Sequence, residues 1–157
     1  MQHLQAGRFA GAEALYRQIL KSNPKHSDAL HFLGIIALQE GRGGDAASLM
    51  EQAIAINPED ADALNNLGQA YESLYRPDDA VAVYRRALQR VPAHEGALNN
   101  LGNALAGKEE YAQAVQCYQQ ALKSNRNDPE IHSNLGDVYQ EQGLLDDAVA
   151  SYRDALG

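Results

Sequence analysis

The chain has 157 residues, of which 45% are hydrophobic and 22% are charged, a composition that suits one folded domain and excludes a disordered or collagen-like chain. Its 13 Lys and Arg are outnumbered by 21 Asp and Glu, which gives a formal net charge of -8. Because this charge repels phosphates, nucleic acid and an anionic membrane surface are poor partners. The single cysteine, Cys117, excludes an intramolecular disulfide and a thiolate metal cluster.

The sequence carries no recognisable targeting signal. Its first residues lack the basic start and the apolar run of a signal peptide. No later segment approaches the roughly 20 apolar residues that span a bilayer. We therefore expect a soluble, cytoplasmic module.

The strongest pattern along the chain is a repeat with a period of 34 residues. A Leu-Gly pair, an alanine, and a large side chain four residues after that alanine each recur with this step. The Leu-Gly pairs are Leu33-Gly34, Leu67-Gly68, Leu101-Gly102 and Leu135-Gly136; the alanines are Ala12, Ala46, Ala80, Ala114 and Ala148; the large residues are Tyr16, Met50, Tyr84, Tyr118 and Tyr152.

Each repeat unit is predicted to form two helices, because its apolar residues have helical spacing, as at Leu64, Leu67 and Tyr71. In chain order, residues 1-26 hold the end of a first helix and a second helix, with a turn at Gly7. Three complete units and one nearly complete unit follow, at residues 27-60, 61-94, 95-128 and 129-157.

Turn residues support these helix boundaries. Gly41 and Gly143 are predicted to end first helices, and Pro77 to open a second helix. Asp128 and Pro129 are predicted to be the cap and the first residue of another helix. The resulting short connections require neighbouring helices to pack antiparallel.

These residues resemble the tetratricopeptide repeat, whose pattern is Trp-x2-Leu-Gly-x2-Tyr, then Ala-x3-Phe, an alanine and a late Pro. The resemblance covers nearly the whole chain. It implies a single all-α array, a right-handed superhelical solenoid of antiparallel helix hairpins. The departures from the pattern are Leu30, Leu64, Leu98 and His132 in place of Trp, and Arg126 in place of the proline found as Pro24, Pro58 and Pro92.

The first helices of such an array line a concave groove, and polar residues beside the core positions point into it. Asn66, Asn100 and Asn134 share one phase and form an amide ladder. An Asn amide can pair with both the C=O and the N-H of an extended peptide backbone. The predicted peptide-binding residues are Asn65, Asn66, Gln69, Asn99, Asn100, Asn103, Asn134 and Asp137.

The ladder is similar to that in the tetratricopeptide arm of O-linked N-acetylglucosamine transferases and their bacterial relatives, where asparagines hold substrate polypeptide. This resemblance implies the substrate-recruiting arm of a larger transferase, although no transferase domain is present in these residues. A solvated amide face is the competing interpretation, because repeats arise by duplication. The groove also lacks the Lys and Arg with which other arrays of this family clamp acidic chaperone C-termini.

Other groove residues leave two interpretations open. The acids Asp28, Asp62, Glu72, Glu130, Asp137 and Glu141 could attract a basic peptide, although such acids more often form a solvated face. Phe32 and Ile35, which stand where later units carry amides, form either an apolar anchor pocket or part of the core between units. The amide ladder should therefore begin at Asn65.

Catalysis is not expected. The histidines His3, His26, His31, His94 and His132 are scattered without a metal-ligand motif, so we interpret them as loop or surface residues. Cys117 lies between core positions and is interpreted as a packing residue. We expect no cofactor and no metal.

The sequence thus predicts a scaffold that binds a protein or peptide. The alternative is an assembly module. No capping helix follows Leu156, and Val149, Tyr152 and Leu156 are apolar, so homo-association through the C-terminal helix is possible. Such an open end also suggests a fragment of a longer protein.

Overall fold

The computed structural model describes the backbone of residues 2-157 and the side chains of residues 10-157. This part of the chain is an all-α helical repeat solenoid, as predicted. None of its helices is both long and apolar enough to cross a lipid bilayer. The helices are α1 (Gln2–Ser22), α2 (Ser27–Gln39), α3 (Gly43–Ile56), α4 (Ala61–Ser73), α5 (Pro77–Arg90), α6 (Glu95–Gly107), α7 (Tyr111–Ala121), α8 (Pro129–Glu141) and α9 (Leu145–Leu156).

Successive helices pack as hairpins, α2 with α3, α4 with α5, α6 with α7 and α8 with α9. We call α2, α4, α6 and α8 the first helices, and α3, α5, α7 and α9 the second helices. Each first helix also contacts the next first helix, whereas within residues 2-157 no second helix contacts another second helix. The stack therefore curves, with the first helices on its concave side.

The start of the chain differs from the prediction. The turn predicted at Gly7 is wrong, because α1 runs unbroken from Gln2 to Ser22. A glycine inside a helix costs about 1 kcal/mol relative to alanine, and this alone does not end a helix. Gly41 and Gly143 do follow the ends of α2 and α8, both with a φ of 74°.

The helix starts follow the predicted chemistry. Asp128 accepts hydrogen bonds from the backbone N-H of Glu130 (2.9 Å) and Ile131 (3.1 Å), and Pro129 is the first residue of α8. Pro77 likewise opens α5. Satisfying these otherwise unpaired N-H groups stabilises the first turn of the helix.

The glycines of the Leu-Gly pairs allow a close approach between the two helices of a hairpin. A Cβ atom on Gly102 would lie 2.5 Å from the Tyr118 ring, and one on Gly136 would lie 2.6 Å from the Tyr152 ring. Gly68 meets Tyr84 in the same way, and Tyr84 is fully buried. Overpacking of this kind costs roughly 1–3 kcal/mol, so these positions require glycine.

Two turns adopt a left-handed conformation without glycine. Tyr75 (φ 57°) and Glu109 (φ 62°) occupy the repeat phase of Gly41 and Gly143. The Tyr75 N-H donates to the Glu72 carbonyl over 2.9 Å, which closes the end of α4. For a residue with a Cβ, the left-handed region costs roughly 1–2 kcal/mol.

We therefore expect Tyr75→Gly and Glu109→Gly each to raise the free energy of unfolding by about 0.5–1 kcal/mol, because relief of strain exceeds the added chain entropy. Tyr75 is 93% exposed, so its removal loses little packing. Urea unfolding followed by circular dichroism measures the change. The matched controls Gly41→Ala and Gly143→Ala should lower stability. A destabilised Tyr75→Gly variant would contradict the strain at this turn.

Candidate functional site

The predicted site residues lie on the first helices, but they differ in exposure. Asn103 and Asp137 are exposed. Asn65 is buried, with 7% of its surface exposed. The half-buried members are Asn66, Gln69, Asn99, Asn100 and Asn134.

The asparagines of this surface bond to one another across consecutive first helices. Asn100 Nδ2 donates to Asn65 Oδ1 over 3.0 Å, and Asn134 Nδ2 donates to Asn99 Oδ1 over 3.1 Å. In each pair the donor is 35 residues beyond the acceptor. We call these two hydrogen bonds the amide rungs. They connect α4 to α6 and α6 to α8.

The same arrangement joins α2 to α4 through a histidine. His31 Nε2 lies 2.9 Å from Asn66 Nδ2, and His31 Nδ1 lies 3.5 Å from Asp60 Oδ2. With the amide as donor, Nε2 accepts and Nδ1 carries the proton that faces Asp60. The prediction that His31 is a loop or surface residue is wrong, because only 8% of it is exposed. Its repeat phase, shared with Asn65 and Asn99, could have shown that it lies on the same helix face as those amides.

A rung uses only part of the hydrogen-bonding capacity of its two amides. Each amide has two N-H donors and an oxygen that accepts two hydrogen bonds. Asn100 gives one donor to the rung, and Asn65 uses one of its acceptor sites. The second N-H of Asn100 and the remaining acceptor sites of both amide oxygens are left for water or a ligand.

Tyrosine hydroxyls from the second helices orient further polar groups of this surface. Tyr118 Oη donates to Asn103 Oδ1 over 2.7 Å, and Tyr152 Oη donates to Asp137 Oδ1 over 2.7 Å. Burial raises the pKa of Tyr118, and the hydrogen bond to Asp137 raises the pKa of Tyr152. Both hydroxyls therefore stay protonated at neutral pH and act as donors. The repeat pattern of the sequence did not reveal these hydrogen bonds.

The tyrosine of the hairpin formed by α4 and α5 reaches a different acceptor. Tyr84 Oη donates to Glu72 Oε2 over 2.9 Å and not to Gln69, the residue at the phase of Asn103 and Asp137. Burial and the neighbouring Glu72 carboxylate both raise the pKa of Tyr84. The amide of Gln69 consequently lacks the tyrosine partner that orients Asn103.

His26, His94, His132 and Cys117 have structural contacts. His26 and His94 cap α2 and α6, where their Nδ1 atoms accept from the N-H groups of Ala29 and Ala97. Burial raises the pKa of the Cys117 thiol, although the positive charge of Arg85 acts in the opposite direction. The raised pKa disfavours a reactive thiolate. The side chain of His3 lies outside the described residues.

We expect the rung between Asn65 and Asn100 to show an energetic coupling. In a double-mutant cycle with Asn65→Ala and Asn100→Ala, the coupling free energy should be about 0.5–1.5 kcal/mol in favour of the pair. Urea unfolding of the four proteins measures it. Asn65 and Asn134 form a matched control pair, because they share no hydrogen bond and should be additive. Additivity of Asn65 and Asn100 would show that the rung does not stabilise the stack.

Comparison with protein families identifies repeats over nearly the whole chain. A model described as "Tetratricopeptide repeat" matches residues 2–56 and 33–95, and a second model with this description matches residues 133–157. A model described as "TPR repeat" matches residues 104–143. No curated protein matches the sequence.

Several solved structures have a similar fold. The crystal structure of MamA aligns with a TM-score of 0.88 at 24% identity, over 99% of this chain and 91% of that chain. TTC0263, a thermophilic TPR protein in Thermus thermophilus, aligns with a TM-score of 0.79 at 29% identity, over 99% and 85% of the two chains. YrrB, described as a TPR protein with an unusual peptide-binding site, aligns with a TM-score of 0.80 at 18% identity, over 97% and 78%.

Proposed function

Because the chain belongs to the tetratricopeptide repeat family, whose helical repeats are suited to protein–protein interaction, we propose that it binds an extended peptide or protein segment along its concave groove. One observation carries this proposal. Amides on α4, α6 and α8 are held in fixed orientations by their own rungs and retain unused donors and acceptors. Such groups recognise peptide backbone independently of the ligand's side chains.

The spacing of the helices supports an extended ligand. Packed helices lie about 10 Å apart, and an extended chain rises about 3.3 Å per residue. Every third residue of such a ligand would therefore meet an amide from the next first helix. Because the rungs hold the amides in place, less side-chain entropy is lost when the ligand binds.

A fold of this kind is typically a non-catalytic interaction module. We propose the substrate-recruiting arm of a larger transferase as the finer form of this function, supported by the Asn-Leu-Gly pattern at Asn66, Asn100 and Asn134. YrrB, described as having an unusual peptide-binding site, illustrates that a related fold accommodates a peptide. We further propose that the protein acts in the cytoplasm, where its single thiol would remain reduced.

We expect the triple variant Asn66→Ala, Asn100→Ala and Asn134→Ala to weaken peptide binding at least tenfold, roughly the effect of two lost hydrogen bonds. Fluorescence anisotropy with labelled peptides of about twelve residues, enough to cross the four first helices at about 3.3 Å per residue, measures the affinity. The triple variant should also be less stable, because it loses both amide rungs.

The double variant Asn65→Ala and Asn99→Ala separates binding from stability. It removes the acceptor of each rung but keeps Asn66, Asn100 and Asn134 in the groove. Its affinity should therefore lie between those of the triple variant and the wild type, because its amides lose only the orientation that the rungs provide. Both variants are compared at a temperature where circular dichroism shows that they are folded. Unchanged binding by the triple variant would exclude the amide groove as the binding surface.

Exposed apolar residues on the last helix favour a second candidate function, assembly through the C-terminal end. Leu156 is 88% exposed and Val149 is 48% exposed. A hollow of about 700 Å³ at the end of the helix is lined by Pro129, His132 and Leu156, among others. A second copy that packed here would remove these side chains from water.

The assembly candidate predicts that the wild-type protein dimerises as its concentration rises, as measured by analytical ultracentrifugation. Val149→Asp with Leu156→Asp should then be monomeric, since burying a carboxylate in an apolar contact is costly. Thermal melting of the variant at low concentration should stay near that of the wild type, because both residues are exposed. A wild-type protein that is monomeric at all concentrations would exclude assembly through this end.

A further inference from the structure

A hollow lies between α2 and α4, at the end of the groove where the amide ladder gives way to other residues. Its volume is about 390 Å³. It combines apolar, acidic and amide side chains, and neither Lys nor Arg is among its lining residues. These residues are Asp28, His31, Phe32, Ile35, Asp62 and Asn66.

The apolar part of the hollow is an aromatic ring held in a fixed orientation. Phe32 stacks on Tyr16 with ring centroids 5.3 Å apart and an angle of 13° between the planes, and it also stacks on His31. It nevertheless remains 44% exposed. Of the two interpretations of Phe32 and Ile35, the core assignment therefore fails for Phe32, whereas Ile35 is half-buried and packs against the core.

The acidic part consists of one carboxylate from each of the two helices. Asp28 lies in the first turn of α2 and Asp62 lies in the first turn of α4, where the helix dipole favours a negative charge. Asp62 Oδ1 accepts from His94 Nε2 over 3.0 Å, and its side chain is 79% exposed. The helix dipole accounts for the position of the acids, but not for the exposed Phe32 ring that lines the same hollow.

We propose that this hollow binds a Lys or Arg side chain of the extended polypeptide held in the groove. The stem of that side chain packs on Phe32 and Ile35, and its cation lies near Asp28 and Asp62. Long basic side chains have this combination of an apolar stem and a charged end. An aliphatic side chain would gain no attraction from the carboxylates, and an acidic one would be repelled. The inference rests on the proposed function and adds a side-chain preference to it.

The position of the hollow also sets the register of the ligand. Asn66 lines the hollow and is the first member of the amide ladder, so the ligand backbone continues from the bound cation towards Asn100 and Asn134. With about 10 Å between helices and about 3.3 Å per residue, those amides meet the backbone about three and six residues from the basic residue. One basic residue with a segment of unrestricted sequence on one side of it is therefore the preferred ligand.

Three labelled peptides that differ at one position, with Lys, norleucine or Glu, test the inference by fluorescence anisotropy. The wild-type protein should bind the Lys peptide about tenfold more tightly than the norleucine peptide, the effect of two exposed charge pairs. The Glu peptide should bind more weakly than either. This preference should decrease as salt rises, because exposed charges are screened.

Asp28→Asn with Asp62→Asn should reduce the ratio of the Lys and norleucine affinities to near one and leave the norleucine affinity unchanged. The matched control is Asp146→Asn with Asp147→Asn, which removes the same charge from the first turn of α9 and should keep the ratio. Phe32→Ala should weaken the Lys and norleucine peptides alike, because both lose contact with the ring.

The outcomes separate this inference from the function on which it rests. Equal wild-type affinity for the Lys and norleucine peptides would overturn the basic side-chain site and leave peptide binding in the groove intact. A ratio unchanged in Asp28→Asn with Asp62→Asn would also overturn it, because the cation would lie elsewhere. If none of the three peptides bound the wild-type protein, the proposed function would fail together with the inference.

Discussion

The contact between a first-helix glycine and a second-helix ring is the constraint on which the rest of the structure depends. In three hairpins the missing Cβ leaves room for a tyrosine ring, which fixes the distance between the two helices. The same ring carries its hydroxyl to the concave surface, where it donates to a polar side chain. One packing contact therefore sets both the hairpin geometry and the orientation of a groove residue. The ring and acceptor pairs are Tyr84 with Glu72, Tyr118 with Asn103 and Tyr152 with Asp137.

In the hairpin formed by α2 and α3, both the second-helix ring and the groove residue that accepts its hydroxyl are replaced by apolar residues. Met50 replaces the tyrosine and packs on Gly34. It has no hydroxyl, and the residue at the phase of Asn103 is Ile35, which needs no donor. Beside it, Phe32 replaces the ladder asparagine. In this hairpin, apolar groove residues therefore lie over an apolar core contact. In the other three hairpins, polar groove residues lie over a tyrosine.

The period of 34 residues predicted the helix hairpins and the face that each asparagine occupies, because every unit repeats the same local contacts. The period could not predict the amide rungs, since these join residues 35 apart and depend on the distance between units. The residue type of Tyr75 disfavours its left-handed conformation, and only its repeat phase, shared with Gly41 and Gly143, could have indicated it. The turn predicted at Gly7, which shares the phase of Gly41 and Gly143, is wrong because α1 continues through this residue.

The rungs connect ligand recognition with the stability of the array. In a solenoid each unit contacts only its neighbours, so stability depends on the interfaces between successive units. The amide rungs lie at those interfaces and on the surface that a ligand would occupy. A peptide bonded to both Asn100 and Asn134 would bridge units whose amides already polarise one another, and hydrogen bonds in a chain strengthen each other. Removing an amide from this groove therefore alters the interface between two repeat units as well as the ligand-binding surface. A loss of binding shows a direct ligand contact only when the variant is compared with another variant that loses the same rung.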